Sequence, residues 1–280
     1  DYATGKQVEQ IDAGIERITG FASSRDGVVL ALRGFCGTAQ AIWAWDSAQS
    51  TRENWCHTYG GEITCPAITT DGSIVAVGWD ALGVQAIEAR TGAKRGEIEL
   101  QSTHVRFVAF SPNGRLIAVA VDLYRDTGAQ FDSVDGDPDQ PVTLWDLGTA
   151  KPTHVLSVQV GPTGVVAFSP DGKLLTLGCD DGTVQVWELL SGQHAHTTEA
   201  HTGPVTSLAF SPNGRLLASV GEDGLALVHD LMHGGATRLP VDSPARDVCF
   251  GANGETLVTA DADGCATVWR VPNPEEHPSE

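Results

Sequence analysis

The 280-residue sequence lacks several features by which function is usually recognised. It has no apolar run near the roughly 20 residues that span a bilayer. It also has no glycine-rich phosphate loop after a strand and neither a GxSxG nor an HExxH motif. The six cysteines include no CxxC pair and fit neither a disulfide scaffold nor a zinc framework. We therefore expect free thiols in a reducing, cytoplasmic compartment, with no cofactor and no metal site.

Basic residues are also scarce. The chain has 17 Lys and Arg against 36 Asp and Glu, which gives a formal net charge of −19. This balance argues against binding to nucleic acid or to an acidic membrane surface, since contacts to phosphate require a basic patch. Solubility is the simpler interpretation of the acidity. The 32 glycines favour an all-β protein with many turns.

The stretch 201–231 contains one complete copy of a repeating unit. Its apolar runs 205–210, 216–220 and 225–229 predict three short strands. A turn at 211–214 separates the first two strands, because Pro and Asn-Gly suit its backbone angles, and a tight hairpin at 222–224 separates the last two. A meander this short cannot bury a core alone, so copies of it must stack against one another.

The copies are found from the turn glycine. It recurs at Gly27, Gly72, Gly114, Gly172, Gly214 and Gly254, at spacings of 45, 42, 58, 42 and 40 residues. Two hairpin loops are longer than the others, by 3 residues in the first unit and 16 in the third, the latter within the Asp-rich segment 122–140. Without these residues every spacing lies between 40 and 42. The 122–140 insertion is predicted to be a solvated loop.

The repeats resemble those of the WD40 family. The resemblance is carried by Trp45-Asp46, Trp145-Asp146 and Trp187-Glu188 at third-strand ends, by the Phe-Ser-Pro-Asx-Gly turns, and by the Asp-Gly hairpins. It implies an all-β, WD40-type β-propeller of six four-stranded blades over residues 1–271, part of a seven-bladed or longer array. The expected repeats are approximately 6–46, 47–88, 89–146, 147–188, 189–230 and 231–270, followed by a disordered tail at 272–280.

The phase of the first repeat indicates that the chain is a piece of a longer protein. Asp1 lies 26 residues before Gly27, as Asp46 lies before Gly72 and Asp146 before Gly172. In each later repeat this position follows a third strand, so we expect an upstream repeat. Residues 6–11 are then expected to form an outer strand that closes the ring by pairing with the last repeat.

The family resemblance also implies a structural hydrogen-bond network of His, Ser or Thr, Asp and Trp in each blade. The fifth repeat has His201, Ser219 and Asp223, with His229 at the Trp position. The sixth has Thr259, Asp263 and Trp269, with Val241 in place of the His. The fourth has Asp181 and Trp187, with Leu177 in place of the Ser. No repeat has all four family residues, and we expect these residues to stabilise blades.

The resemblance further implies a ligand-binding surface beside the central channel, four and six residues before the aromatic of the turn. The candidate residues there, with two hairpin acids, are Arg17, Glu62, His104, Arg106, Asp180, Thr206, Glu222 and Arg246. Three arginines in one ring favour an acidic or phosphorylated protein or peptide partner. Two alternatives remain open: each Arg pairs with a neighbouring acid such as Asp180 or Glu222, or the insertion 122–140 occupies the arginines as a lid.

The most favoured function is a non-catalytic protein-interaction scaffold within a larger protein. One alternative is a propeller enzyme or metal-dependent site at the channel mouth. His194 and His196, two apart on an outer strand, are the pair that could hold a metal, although an exposed strand also tolerates such a pair without function. A second alternative is a purely structural spacer.

Overall fold

The computed structural model describes residues 17–24, 29–36, 39–46, 57–59, 63–64, 66–79, 83–100, 103–126, 131–133, 140–158 and 163–271. Within this part of the chain all regular structure is β, and no helix is present that could cross a membrane.

The strands form six antiparallel sheets, numbered here in chain order. The first sheet contains β1 Arg17–Ser23, β2 Val29–Cys36, β3 Ala39–Asp46 and β4 His57–Tyr59. The second contains β5 Ala67–Ile68, β6 Ile74–Trp79, β7 Gly83–Glu88 and β8 Lys94–Glu99. The third contains β9 Thr103–Phe110, β10 Leu116–Asp126, β11 Phe131–Ser133, β12 Gln140–Asp146 and β13 Lys151–Val158.

The last three sheets repeat the same up-and-down order with shorter loops. The fourth contains β14 Thr163–Phe168, β15 Leu174–Cys179, β16 Thr183–Glu188 and β17 Gln193–Glu199. The fifth contains β18 Val205–Phe210, β19 Leu216–Gly221, β20 Leu225–Asp230 and β21 Ala236–Pro240. The sixth contains β22 Ala245–Phe250, β23 Thr256–Asp261 and β24 Ala266–Arg270.

Adjacent sheets pack face to face through their first strands. β9 of the third sheet contacts β14 of the fourth, β14 contacts β18 of the fifth, and β18 contacts β22 of the sixth. The apolar core lies between the sheets, as in the cluster that joins Leu144 of the third sheet to Leu175 of the fourth. The second strands are the most buried and the outermost strands the most exposed, which β19 and β21 illustrate. The predicted fold, an all-β propeller of six blades, is therefore confirmed.

The repeated turns follow from a small set of backbone and side-chain requirements. Gly72, Gly114, Gly172, Gly214 and Gly254 all have φ between 67° and 75°, a region in which a Cβ would be strained. In the fifth sheet, Ser211 Oγ accepts a hydrogen bond from Leu216 N at 2.9 Å and donates to Asn213 Oδ1 at 2.8 Å. The turn thus satisfies its own polar groups before the second strand begins. Gly27 lies outside the described residues.

The insertion in the third repeat differs from the predicted solvated loop. β10 continues to Asp126, and its last residues pair with β11, so that Tyr124 lies opposite Ser133. An extended hairpin pairs backbone N–H and C=O groups that a loop would leave to water. The described part of the insertion is therefore sheet. The predicted closing strand 6–11 and the tail 272–280 lie outside the described residues.

Candidate functional site

The candidate binding surface lies where the first strands begin and the hairpins between second and third strands turn, and we call it the top face. Two arginines on this face form ion pairs across sheet boundaries. Arg106 Nη2 of the third sheet lies 3.0 Å from Asp180 Oδ2 of the fourth. Arg246 Nη1 of the sixth sheet lies 3.2 Å from Glu222 Oε1 of the fifth. The pairing that the sequence left open as an alternative to docking is thus present at both sites.

The two ion pairs differ in their exposure to water. The side chains of Arg106 and Asp180 are 26% and 33% exposed, whereas those of Arg246 and Glu222 are 56% and 47% exposed. A solvated ion pair contributes about 0–1 kcal/mol, because water screens the charges and both side chains lose freedom. The Arg246–Glu222 pair is therefore the more easily exchanged for another partner.

The fourth sheet explains why Arg106 reaches its neighbour. The position equivalent to Arg106 there is Gly164, and a Cβ added to this glycine would lie 3.0 Å from Asp180 Oδ1. The carboxylate of Asp180 thus occupies the space where a side chain at 164 would begin. The absence of that side chain leaves the carboxylate open to the guanidinium of the preceding sheet.

Thr206, the equivalent residue of the fifth sheet, ties two sheets together. Its hydroxyl oxygen lies 2.7 Å from Ala245 O of the sixth sheet and 3.2 Å from Val220 O of its own sheet. The hydroxyl is therefore already engaged as a donor. Of the other top-face candidates, Glu62 and the side chains of Arg17 and His104 lie outside the described part of the structure.

The fifth sheet contains a continuous hydrogen-bond network. His201 Nδ1 lies 3.0 Å from Asp223 Oδ1, and His201 Nε2 lies 2.9 Å from Ser219 Oγ. Ser219 Oγ lies 3.1 Å from His229 Nε2, so the histidine at the Trp position extends the network. Asp223 also accepts hydrogen bonds from Thr202 N at 3.0 Å and Leu225 N at 3.2 Å.

This network sets the protonation of its members. Burial raises the pKa of Asp223, but hydrogen bonds from Thr202 N and His201 outweigh it and hold that pKa below its ordinary value. Burial, followed by the charges of His201 and His196, lowers the pKa of His229 to about 4. At neutral pH the network therefore contains an ionised Asp223 and an uncharged His229 ring.

The fourth sheet keeps only part of the network. Asp181 Oδ1 accepts hydrogen bonds from Thr183 N at 2.9 Å and Thr183 Oγ1 at 2.8 Å, which holds the hairpin. Leu177 occupies the position of Ser219, and the buried Trp187 Nε1 has no hydrogen-bond partner. At this position the fourth sheet therefore has a buried apolar side chain, whereas the fifth sheet has a hydrogen-bonded hydroxyl.

The sixth sheet requires one correction. Trp269 Nε1 donates to Thr259 Oγ1 at 3.0 Å, which joins two of the residues expected there. The hairpin, however, is held by Asp261, which accepts from Asp263 N at 3.1 Å and Cys265 N at 2.8 Å, while the Asp263 side chain is exposed. Val241 stands where His201 stands in the fifth sheet, so no ring nitrogen draws the Asp263 carboxylate inward.

The histidine pair on the outer strand of the fourth sheet shows no converging geometry. His194 Nε2 lies 2.7 Å from Thr197 Oγ1, and the His194 ring makes an edge contact with Trp187 at 5.1 Å. Across the described residues, no group of three or more His, Cys, Asp or Glu side chains is placed to hold a metal ion.

Sequence reasoning missed the residues that define how this surface is assembled. The direction in which Arg106 crosses its sheet boundary depends on Gly164, and Asp261 lies at a strand end that the repeat pattern does not mark. The sequence shows that His229 stands at the position of the family's Trp, but it does not reveal the hydrogen bond between His229 and Ser219.

Comparison with known proteins gives an independent view of the repeats. The family model "WD domain, G-beta repeat" matches residues 150–188, 192–230 and 239–270, which cover β13 to β16, β17 to β20, and the end of β21 with β22 to β24. No curated protein matches the chain. The chain thus contains three matched WD40 repeats within a β-propeller of six sheets that share one strand order.

Proposed function

We propose that this propeller is a non-catalytic, cytoplasmic protein-interaction scaffold within a larger protein, and that the top face between its fifth and sixth sheets binds an acidic or phosphorylated peptide segment. WD40 propellers typically serve as interaction scaffolds, which supports the general part of the proposal. The observation that carries the specific part is the exposed ion pair between Arg246 and Glu222.

Arg246 has the chemistry that this ligand requires. A guanidinium presents a planar fork of N–H donors that matches a carboxylate or phosphate, and charged hydrogen bonds of this kind are about twice as strong as neutral ones. Glu222 holds the guanidinium at the sheet boundary while both side chains remain half exposed. A phosphate group carries more charge than Glu222 and so can displace it.

Arg106 has a different role in this proposal. Its pair with Asp180 is less exposed, and Asp180 fills the space beside Gly164. Replacing either partner would leave a partly buried charge without its counterion, which costs stability. We therefore propose that Arg106 stabilises the boundary between the third and fourth sheets, whereas Arg246 binds the partner peptide.

The experiment compares charge reversals against a library of short peptides that carry phosphoserine or glutamate, with lysine peptides of the same length as a reference. Arg246→Glu is expected to reduce binding of the anionic peptides at least about tenfold without changing the melting temperature. Glu222→Gln is expected to strengthen binding, because the intramolecular competitor loses its charge. Arg238→Glu, on the exposed outer strand β21, is the matched control and should bind as the wild type does.

Two outcomes would contradict the proposal. If Arg246→Glu binds the anionic peptides as well as wild type, the site lies elsewhere. If it lowers the melting temperature and leaves binding unchanged, Arg246 is structural, as we expect of Arg106→Glu.

A further inference from the structure

The boundary between the fourth and fifth sheets contains a cavity beside His229. At three other boundaries, the Trp near the end of the third strand packs against the preceding sheet. Trp145 packs against the cluster that contains Val84 and Ile98 of the second sheet. Trp187 lies in the cluster that contains Leu144 of the third sheet, and Trp269 packs against the cluster of the fifth. His229 stands at this position in the fifth sheet and cannot fill the same space.

The space left beside His229 has a volume of about 450 Å³. This lies within the roughly 300–1,000 Å³ range of small-ligand sites. Its apolar walls are Leu174, Val184 and Val186 of the fourth sheet and Leu217 of the fifth, and its polar groups include His196 and His229.

The boundary between the third and fourth sheets is the matched, closed case. There, Gly192 in the turn after the third strand packs so closely on His154 that an added Cβ would lie 2.6 Å from His154 Cδ2. Gly234 holds the equivalent place in the fifth sheet. A Cβ added to Gly234 or to Gly235 would meet no atom within 4 Å. The turn after the third strand therefore packs against the preceding sheet at the boundary of the third and fourth sheets, and it leaves space at the boundary of the fourth and fifth.

The network behind the cavity determines what His229 offers to a ligand. When the His201 ring carries one proton, directed at Asp223, its Nε2 accepts from the Ser219 hydroxyl, and Ser219 Oγ then accepts from His229 Nε2–H. In this arrangement His229 Nδ1 is an acceptor, and it has no hydrogen-bond partner among the described residues. A ligand that complements the apolar walls and this acceptor is thus flat and apolar, with one N–H donor.

An exposed apolar side chain beside the cavity indicates the source of such a group. Met232, next to the lining residue Leu231, is 74% exposed. A peptide that crossed the mouth of the cavity would cover apolar surface of this kind, whereas a small molecule inside the cavity would not.

We propose that the cavity between the fourth and fifth sheets binds the indole side chain of a tryptophan in a partner peptide, which takes the place that Trp187 and Trp269 fill at other boundaries. The indole N–H donates to His229 Nδ1, and the flanking peptide covers Leu231 and Met232. This site is separate from the top face and does not depend on Arg246.

The test uses ¹⁹F NMR with the peptide acetyl-Gly-(5-fluoro-Trp)-Gly-amide and with free 5-fluoroindole. The wild-type protein is expected to bind the peptide more tightly than 5-fluoroindole. His229→Trp fills the cavity with the protein's own indole and should weaken peptide binding at least about tenfold. Arg246→Glu should leave this binding unchanged, so failure of the top-face proposal and failure of this one are distinguishable.

A second variant covers the case in which His229→Trp does not fold. Ala236→Leu places a larger side chain in the cavity lining and should weaken binding as well, whereas Thr237→Leu, the next residue on the same strand and not part of the lining, should not. Three results would overturn the proposal: no binding of the peptide, 5-fluoroindole binding as tightly as the peptide, or equal peptide binding by wild type and both cavity variants.

Discussion

The fourth and fifth sheets have the same strand order and the same turn glycines, yet they differ in whether their buried polar groups are hydrogen-bonded. In the fourth, Leu177 is fully buried and the Trp187 N–H has no partner. In the fifth, Ser219 links two histidine rings to an ionised Asp223. A blade of this fold therefore tolerates either an apolar centre with one unsatisfied donor or a complete polar network. The first depends on packing and the second on every member being present.

The largest expected effect comes from breaking the network at its charged end. Asp223→Ala removes the acceptor of His201, Thr202 N and Leu225 N, so we expect a loss of about 2–4 kcal/mol in the free energy of unfolding. Asp181→Ala in the fourth sheet removes only the contacts to Thr183 and should cost about 1 kcal/mol. Urea unfolding at neutral pH measures both values.

Asp263→Ala is the control for these hairpin substitutions. Its side chain is exposed and the turn is held by Asp261, so no measurable change is expected. Equal losses for Asp223→Ala and Asp181→Ala would mean that the network adds nothing to an ordinary hairpin contact.

The fold could be predicted from the sequence to a large extent because it rests on local, repeated requirements. A turn that needs positive φ selects glycine, and the glycine period therefore located all five described turns, including Gly214. Burial of the second strands likewise follows from their apolar runs. These constraints act within one repeat and do not depend on how neighbouring repeats differ.

The candidate site could not be predicted to the same extent because it lies between repeats. The partner of Arg106 depends on the missing side chain of Gly164 in the next sheet, and the cavity beside His229 depends on small residues in a turn. The hairpin of the sixth sheet is held by Asp261 instead of the predicted Asp263, because the side chain of Val241 has no hydrogen-bonding group. Each outcome depends on pairs of residues that no single repeat contains.

The next effect is a dependence of stability on pH that arises from His229 of the fifth sheet. Burial lowers the pKa of His229 from 6.5 to about 4, so between these values the unfolded state binds a proton that the folded state does not. The contribution of His229 to the free energy of unfolding is therefore fully present above pH 6.5, and it is lost as the pH falls toward 4. We expect a loss of about 2 kcal/mol between pH 7.5 and pH 5 from this group.

His229→Trp tests this directly, because it introduces the residue of the fourth sheet, which does not titrate. Urea unfolding at pH 7.5 and pH 5 should show a smaller loss for this variant than for the wild type. The lowered pKa of Asp223 acts only below its ordinary value of 3.8 and so lies outside this range. The same loss in both proteins would show that the acid sensitivity arises elsewhere.

The smallest expected effect compares the indole N–H groups of two sheets. Trp187→Phe removes a buried donor that has no partner, which relieves a cost of about 1–3 kcal/mol, and loses roughly 1 kcal/mol of packing through the smaller ring. Its net change should lie within about 1 kcal/mol of zero. Trp269→Phe instead breaks the hydrogen bond to the buried Thr259 hydroxyl and should cost about 1–2 kcal/mol. If thermal unfolding shows Trp187→Phe to be the more damaging variant, packing at the boundary of the third and fourth sheets outweighs the unsatisfied donor, and the contrast between the two kinds of blade is one of volume alone.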